Sequence, residues 1–384
     1  MNSSTRGAVH LGALIAFGCG SSNEVVGTPS DAGTERDIVR LDAPTLDTQP
    51  TDSQTEPSMD APMMDSVDLP READGPLTAS SCLIRGFVHP LDIGPDYDQF
   101  MPVVGSHCLG TNHQAIDRIE RVVFLGDSVT VGSPPTGMGD YYRVRLANAL
   151  ADRFGLARPD VLWQTVNIFN GRTFVQQSGA FASCAEWGAN ARDLPGAGQL
   201  AECFPDGMRD QRTLVIITIG GNDVGNIHER GTNDESVTTL WDATRAFVQQ
   251  LRDTASWLVE PGRFPNGGFV VFGNMYEFTD ATADTASCPA AAATGMSGTW
   301  DDPIALRDMV VWANEEYMRI ATDTRTDMIF MLEHFCGHGF HHDDPAAPCY
   351  RGPGTARWFD DTCIHPNPTG HGVIADMFSA VVAE

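Results

Sequence analysis

The amino-acid sequence predicts an α/β fold, in which helices cover both faces of a parallel β-sheet. Short apolar runs rich in β-branched or aromatic residues alternate along the chain with longer segments whose apolar residues recur at helical spacing. Strands that alternate with helices form βαβ units, and the strands of such units run parallel. Catalytic and binding residues of these sheets lie on the loops at the carboxyl ends of the strands.

Five apolar runs are predicted to be strands of this sheet. Each spans five to eight residues, and most lack the polar alternation that marks a strand with one exposed face. They are residues 121–125, 161–168, 213–219, 268–273 and 327–332. This assignment predicts a five-stranded parallel sheet.

Three segments between and after these strands are predicted to be helices. Residues 236–259 and 304–322 carry apolar residues at helical spacing, and Ser236 is placed to cap the first of them. The last helix is expected to begin behind Asn367 as its N-cap, with Pro368 at the first helical position.

Charged and aromatic residues are unevenly distributed along the 384 residues. The chain carries 51 acidic residues against 24 basic ones, all of them arginine, which gives a net charge of −27. Residues 20–80 contain 13 of the acidic residues, seven prolines and no aromatic residue. Such a segment buries too little apolar surface to offset the entropy lost on ordering. We therefore expect a disordered acidic linker, followed by one domain over residues 81–384.

This composition excludes several classes of protein. A nucleic-acid binder needs a basic surface to pair with phosphates, and this chain is strongly acidic. A Walker-type phosphate loop and a Schiff-base enzyme both need a lysine, which the chain lacks. No apolar run reaches the roughly 18 residues that a membrane-spanning helix needs.

The first 19 residues resemble a bacterial lipoprotein signal peptide. Arg6 precedes a short apolar stretch that ends at Gly18 and Cys19, and in such signals the cysteine becomes lipidated. The alternative is an ordinary secretory signal peptide that is cleaved nearby. Both alternatives predict an exported protein, either anchored by lipid to the outer membrane or cell surface, or secreted.

The other eight cysteines also favour export, because an even number in an exported chain indicates disulfide bonds. Closeness in sequence favours the pairs Cys82–Cys108 and Cys184–Cys203. Cys288 is expected to pair with one of the three cysteines near the C-terminus. A zinc site is disfavoured because the chain contains no C-x-x-C sequence.

Four polar or glycine-rich clusters follow predicted strands and therefore share one edge of the predicted sheet. They are Gly-Asp-Ser at 126–128, Asn-Gly-Arg-Thr at 170–173, Gly-Gly-Asn-Asp at 220–223 and Asp-Thr-Cys-Ile-His-Pro at 361–366. Together these residue types suit nucleophilic catalysis, with Ser128 as the nucleophile and His365 as the base. The backbone N–H groups of Ser128 and Gly171 and the amide of Asn222 would hold an oxyanion.

The order and placement of these clusters resemble those of the SGNH, or GDSL-type, hydrolases. That family has a serine in Gly-Asp-Ser, a glycine, an asparagine in Gly-x-Asn-Asp and a histidine in Asp-x-x-His. The resemblance runs from about residue 121 to the C-terminus. Gly171 is favoured over Gly179 as the glycine because it directly follows a predicted strand. The resemblance implies a flavodoxin-like three-layer α/β/α sandwich that hydrolyses carboxylic esters through an acyl-enzyme, without a cofactor.

One position departs from the family's pattern. The family places an acid three residues before the histidine, where this chain has Thr362, whereas Asp361 lies four residues before it. Asp361 is favoured as the group that orients His365, and the alternative is the carbonyl of Thr362. The departure also keeps open a different class of function, a surface-anchored binding module that has lost catalysis.

Two further groups of residues are candidates for the site. Asn274 and Tyr276 follow the fourth predicted strand and are expected to line the pocket for a small-molecule, lipid or carbohydrate ester. Four histidines within residues 334–342, followed by Asp343 and Asp344, suggest either a lid or a metal site. The lid is favoured because the histidine spacing fits no helix-borne metal motif. We expect a monomer with no bound metal and no nucleic-acid partner.

Overall fold

The structure is a computed structural model, and it describes residues 77–84, 94–276, 278–288, 290, 298 and 300–384. The predicted signal peptide, Cys19 and most of the predicted acidic linker lie outside the described residues. The backbone N–H groups of Ala79 and Ser80 donate to the carboxylate of Asp98 at 2.7 and 3.1 Å. The last residues that composition assigns to the linker therefore belong to a helix that packs on the domain.

The strands of the central sheet fix the edge on which the loops of the candidate site lie. In chain order they are β1 (Arg121–Gly126), β2 (Val166–Asn167), β3 (Arg172–Thr173), β4 (Gln177–Ser178), β5 (Phe181–Ser183), β6 (Thr213–Thr218), β7 (Gly268–Gly273) and β8 (Asp327–Ile329). Within the described residues, six of them form the central sheet, in the spatial order β4-β5-β1-β6-β7-β8. Strands β5, β1, β6, β7 and β8 run parallel, and β4 is antiparallel to β5. The predicted α/β fold with five parallel strands is confirmed.

The prediction of a strand over residues 161–168 is wrong. This segment begins as a short helix, Val161–Gln164, and ends in β2, which pairs with β3 in a separate hairpin. Asp160 starts the helix, because its carboxylate accepts a hydrogen bond from Trp163 N at 3.2 Å. The run is also partly exposed, and the side chain of Phe169 just beyond it is 93% exposed. A short apolar run alone does not distinguish a strand from a helix, and the N-cap decides here.

The helices flank the sheet. They are α1 (Ala79–Ile84), α2 (Ser128–Val131), α3 (Tyr142–Phe154), α4 (Val161–Gln164), α5 (Gln199–Cys203), α6 (Gly221–Thr232), α7 (Val237–Leu258), α8 (Pro303–Thr324), α9 (Met331–Phe335) and α10 (Pro368–Ala383). The three predicted helices are confirmed as α7, α8 and α10. The side chains of Ser236 and Asn367 accept hydrogen bonds from the first amides of α7 and α10, as the sequence predicts.

Helices pack in two groups around the central strands. Helix α3 packs against α10, and α7 packs against α6 and α8. Every residue of β1 and of β6 is buried, so the centre of the sheet is covered on both faces. Because the five central strands are parallel, the loops that follow them meet at one edge of the sheet. The predicted fifth strand ends at Ile329, since α9 begins at Met331.

Four disulfide bonds join the eight cysteines of the described residues. The predicted pairs Cys82–Cys108 and Cys184–Cys203 are confirmed. The other two bonds join Cys288 to Cys363 and Cys336 to Cys349. Among the residues that the structure describes, no helix has both the length and the apolar character needed to cross a membrane.

Candidate active site

Ser128 lies at the carboxyl end of β1, at the start of the short helix α2. Gly126 makes this turn possible, because its φ is +139° and a Cβ atom there would collide with the carbonyl oxygen of Thr218. Asp127 then caps α2, since its carboxylate accepts a hydrogen bond from Val129 N at 2.9 Å. Burial raises the pKa of the Asp127 carboxyl to about 7. The sequence Gly-Asp-Ser therefore places Ser128 at the edge of the sheet where the parallel strands end.

His365 is in direct contact with Ser128, although 237 residues separate them in sequence. Its Nε2 atom lies 2.9 Å from Ser128 Oγ, which is a hydrogen-bond distance. Burial lowers the pKa of His365 to about 4, so its imidazole is neutral at neutral pH and can accept a proton. The structure thus brings together the nucleophile and the base that the sequence suggests.

The other ring nitrogen of His365 faces the side chain of Thr362. His365 Nδ1 lies 3.1 Å from Thr362 Oγ1, and the same oxygen accepts a hydrogen bond from the backbone N–H of His365 at 3.2 Å. Thr362 in turn donates its hydroxyl proton to Asp360 Oδ1. Asp360 is buried, and burial raises the pKa of its carboxyl group. Hydrogen bonds therefore link Ser128, His365, Thr362 and Asp360 in a row.

The expectation that Asp361 orients His365 is corrected by this geometry. The Asp361 side chain is 92% exposed, and its carboxylate pairs with Arg357 at 2.8 Å. The alternative expectation is that the carbonyl of Thr362 faces His365 Nδ1. In the structure the hydroxyl of Thr362 faces this atom instead. The loop turns at Cys363, whose φ is +65°, so that Asp360 faces inward and Asp361 faces solvent.

Asn222 lies in the first turn of α6, just beyond the end of β6. This position adjoins Ser128, because β6 pairs with β1 and Thr218 is opposite Gly126. Asn222 Nδ2 donates a hydrogen bond to the carbonyl of Ala189 at 2.9 Å. The loop after β5 therefore fixes the orientation of the Asn222 amide.

Gly171 lies elsewhere than the sequence predicts, because the strand before it, β2, belongs to a separate hairpin and not to the central sheet. It belongs to the hairpin of β2 and β3, and its N–H donates to the carbonyl of Asn167 at 2.9 Å. That bond occupies the donor that an oxyanion would need, so Gly171 is corrected to a structural position against Trp187. Gly179 lies in the turn before β5, at the opposite edge of the sheet from Ser128.

Gly188 is the glycine that follows the true second parallel strand, β5. Its neighbour Trp187 donates its N–H to the carbonyl of Gly171 at 2.9 Å, and its other neighbour Ala189 accepts the bond from Asn222. Gly188 is exposed, with φ +75°, and its amide donates no hydrogen bond to another of the described residues. Gly188 opens the run Gly-Ala-Asn at 188–190, five residues after the end of β5, and this run is the only local sequence signal that marks it.

Asn274 and Tyr276 both follow β7 and both support the loops of the site. Asn274 is fully buried, and its two amide protons go to the hydroxyl of Tyr97 at 2.8 Å and to Glu333 Oε2 at 3.1 Å. Asn274 therefore has no amide proton left to donate to a substrate, although it is among the residues that line the pocket described next. The hydroxyl of Tyr276 donates to the carbonyl of Ile364, the residue before His365.

A largely apolar pocket lies against the turn that carries Ser128. Its lining includes Val129 on α2, Val224 on α6, Tyr276 after β7 and Val310 on α8. The cavity has a volume of about 100 Å³ and is open to solvent on one side. Tyr276 thus faces the pocket with its ring while its hydroxyl holds the loop of His365.

One of the four histidines at 334–342, His338, contacts the segment that leads into the loop of residues 359–366. The imidazole of His338 stacks on the ring of Trp358 with centroids 3.5 Å apart, and its Nδ1 lies 2.7 Å from the carbonyl of Ala356. Burial lowers the pKa of His338 to about 4. Among the described residues, no three His, Cys, Asp or Glu side chains are arranged to hold a metal ion. The geometry gives no support to the metal alternative for this cluster.

Comparison with known protein families gives one match. The model of the GDSL-like Lipase/Acylhydrolase family matches residues 124–373. The matched region contains Ser128, Asn222, Thr362 and His365. No curated protein matches the chain.

Several solved structures resemble the chain at low identity. Phospholipase A1 from Streptomyces albidoflavus NA297 is 18% identical, with 68% of this chain and 99% of that chain covered and a TM-score of 0.42. The extracellular lipase from Streptomyces rimosus is also 18% identical, with 68% and 99% covered and a TM-score of 0.40. Est24, a carbohydrate acetylesterase from Sinorhizobium meliloti, is 14% identical, with 68% and 98% covered and a TM-score of 0.34. Likeness at this level does not transfer a substrate from one protein to another.

Proposed function

Because the chain belongs to the GDSL-like lipase/acylhydrolase family, we propose that it hydrolyses carboxylic esters with Ser128 as the nucleophile and His365 as the base. The observation that carries this proposal is the 2.9 Å contact between His365 Nε2 and Ser128 Oγ. A serine hydroxyl is a weak nucleophile, and it becomes effective when a neutral base removes its proton during attack. Burial keeps His365 in that neutral form by lowering its pKa to about 4.

In the first half of the reaction, Ser128 Oγ bonds to the ester carbonyl carbon while its proton passes to His365 Nε2. The carbonyl π electrons move to the oxygen, which gives a tetrahedral oxyanion. When this intermediate collapses, the bond from carbon to the alkoxy oxygen breaks and His365 gives its proton to the departing alcohol. The acyl group is then esterified to Ser128.

In the second half, a water molecule attacks the acyl carbon and gives one proton to His365 Nε2. The new tetrahedral oxyanion collapses with cleavage of the bond to Ser128 Oγ, which takes the proton back from His365. The carboxylic acid leaves and the enzyme returns to its first state. Water is the only co-reactant that this sequence needs.

Three N–H groups are proposed to hold the oxyanion: the backbone amides of Ser128 and Gly188 and the side-chain amide of Asn222. In this proposal Gly188 has the role of oxyanion donor that the sequence suggested for Gly171. One N–H of Asn222 is bound to Ala189, which orients the amide and leaves its second N–H for the oxyanion. Donors held in place before charge develops are the most effective ones, because no reorganisation is needed during the reaction.

The acyl part of the substrate is proposed to enter the apolar pocket beside α2. The pocket's lining includes Val129, the residue after Ser128, and Tyr276, whose hydroxyl holds the loop of His365. Valine, methionine and leucine side chains line much of the rest, so the pocket suits a hydrocarbon chain. A panel of p-nitrophenyl esters of increasing acyl length, together with acetylated sugars, would define the acyl chain and the alcohol.

The chain is further proposed to act outside the cytoplasm. Four disulfide bonds support this location, because such bonds persist in oxidising compartments. The lipoprotein-like signal would anchor the domain to the cell envelope through Cys19. Mass spectrometry of the mature N-terminal peptide tests the anchor, since a lipidated Cys19 is heavier than a free one.

The decisive experiment compares wild type with Ser128→Ala on a short p-nitrophenyl ester and with a fluorophosphonate probe. Wild type should turn over the ester and become labelled on Ser128, and the variant should do neither. Ser183→Ala is a matched control, because this buried hydroxyl has no partner among the described residues. An unlabelled wild type would instead favour a binding module that has lost catalysis.

A further inference from the structure

The hydroxyl of Thr362 occupies the position at His365 Nδ1 where the family's pattern expects a carboxylate. It is within hydrogen-bond distance of three groups: His365 Nδ1 at 3.1 Å, His365 N at 3.2 Å and the carboxylate of Asp360. Thr362 N also donates to Asp360 Oδ1, at 2.8 Å. Two bonds therefore join Thr362 to Asp360, and two join it to His365.

The direction of each hydrogen bond follows from the chemistry of the partners. A backbone N–H only donates, so Asp360 Oδ1 is an acceptor because it receives Thr362 N, and a hydroxyl has one proton and two lone pairs. The single proton of Thr362 must therefore point to Asp360, and its lone pairs accept from the backbone N–H and from Nδ1 of His365. His365 then carries its proton on Nδ1 and presents a lone pair on Nε2 to Ser128.

We propose that Thr362 and Asp360 act as a two-residue relay that orients His365 and fixes its tautomer. Both are positioning residues: Thr362 touches the base, and Asp360 acts only by fixing the direction of the Thr362 hydroxyl. The catalytic consequence of the relay rests on the proposed function, whereas its effect on the His365 tautomer does not.

The backbone of the loop supports the same assignment. Asp360 N donates to the carbonyl of His365 at 2.9 Å, and a short bridge pairs Phe359 with Pro366, so residues 359–366 close on themselves. Asp360 is 5% exposed inside this closed loop, whereas the adjacent Asp361 is solvated and paired with Arg357. The two neighbouring carboxylates are therefore distinguishable by experiment, and Asp361 supplies the matched control.

The first arm of the test measures kcat and KM on a p-nitrophenyl ester. Thr362→Val removes the hydroxyl at constant shape and should lower kcat on the order of 100-fold with KM little changed. Thr362→Ser keeps the hydroxyl and should stay within about threefold of wild type, and Asp361→Asn within about twofold. Asp360→Asn should lower kcat, because an amide can donate to the Thr362 oxygen and reverse the bond.

A double-mutant cycle on Thr362 and Asp360 distinguishes a relay from two independent structural roles. If Asp360 acts only through Thr362, the double variant Thr362→Val/Asp360→Asn should be no slower than Thr362→Val alone. Losses that multiply in the double variant, or Thr362→Val with wild-type kcat, would overturn the relay. Should Thr362→Val fail to fold by circular dichroism, Thr362→Ala takes its place in the same cycle.

The second arm reads the tautomer directly and needs no turnover. Histidine labelled with ¹⁵N, with His365 assigned by its loss in His365→Gln, should show a protonated Nδ1 in wild type, in Thr362→Ser and in Asp361→Asn. Thr362→Val should show a mixture of both tautomers. An Nε2-protonated wild type, or an unchanged Thr362→Val, would overturn the proposal even if the protein hydrolyses esters. A confirmed tautomer shift without ester turnover would instead leave the relay intact and overturn the proposed function.

Discussion

The side-chain amide of Asn222 donates a hydrogen bond to the backbone carbonyl of Ala189 at 2.9 Å. The two residues belong to separate loops, one after β6 and the other after β5, and both loops border the end of β1. An amide held in this way cannot rotate to turn its oxygen toward a developing negative charge. Asn222 is therefore oriented as a donor before any substrate binds.

Replacing Asn222 by alanine should lower kcat on the order of 10²–10³-fold, because the lost donor acts on the oxyanion of the transition state. KM should change little, since the ground-state carbonyl makes a weaker bond to the same group. Asn226→Ala is the matched control, because this amide lies one turn later on α6 and donates to Asn190 at 2.8 Å. Equal losses in both variants, measured by steady-state kinetics, would count against a specific role for Asn222.

The pH profile of kcat/KM should have its acid limb near pH 4. Only neutral His365 accepts the serine proton, and burial lowers the pKa of this residue to about 4. Protonation of His365 as the pH falls through this value removes the base, so the rate is retained from neutral pH to about pH 5 and then declines. An acid limb near pH 6.5, the ordinary pKa of histidine, would contradict this buried environment.

Breaking the disulfide bond between Cys288 and Cys363 should lower both stability and kcat. Cys363 lies between Thr362 and His365, and the bond joins it to a residue 75 positions earlier. The double variant to serine should lose about 2–4 kcal/mol of stability. Its kcat should fall about tenfold or more, because the loop of the base is no longer tied down.

The control for this prediction is the disulfide bond between Cys82 and Cys108, which lies outside the catalytic loop. Replacing both of its cysteines by serine should lower the unfolding temperature but leave kcat unchanged at temperatures where the protein is folded. Unfolding temperatures and kcat values of both double variants show whether the loss of activity is specific to the bond between Cys288 and Cys363. A kcat loss shared by both would indicate a general effect of stability.

Tyr276→Phe should weaken the attachment of the loop that carries His365 and leave the aromatic ring that lines the pocket in place. The variant keeps the ring, which stacks on Phe335, and removes the hydroxyl that donates to the carbonyl of Ile364. We expect a loss of about 1 kcal/mol in the free energy of unfolding. Acyl-chain preference should stay as in wild type, and a changed preference in the ester panel would show that the hydroxyl itself contacts substrate.

Strands β1 and β6 can be predicted from the sequence because every residue in them is buried, so their apolar runs are continuous. Strand β5 cannot be predicted in this way. It has three residues, Phe181–Ser183, and two of them are small, so no apolar run marks it. Gly171 is favoured from the sequence because it follows the misassigned strand over residues 161–168, whereas Gly188, the glycine that we propose for the oxyanion, follows β5.

The proximity of Ser128 and His365 is predictable because Ser128 comes just after β1 and His365 just before α10, two elements that the sequence marks clearly. The group at His365 Nδ1 is not predictable, since Asp360 and Asp361 are neighbours of the same chemical type. Their opposite orientations arise from the turn at Cys363, where a residue other than glycine adopts a positive φ of +65°. A disulfide bond to a distant segment holds that turn, and no local sequence pattern reports it.

The separation of Ser128 and His365 by 237 positions in sequence has a consequence for biosynthesis. A polypeptide emerges from the ribosome N-terminus first, so Ser128 and most of the sheet are made well before His365. A nascent chain that has not yet reached residue 365 holds a hydroxyl without the imidazole that activates it. Under the proposed function, ester hydrolysis would then begin only after translation has passed His365.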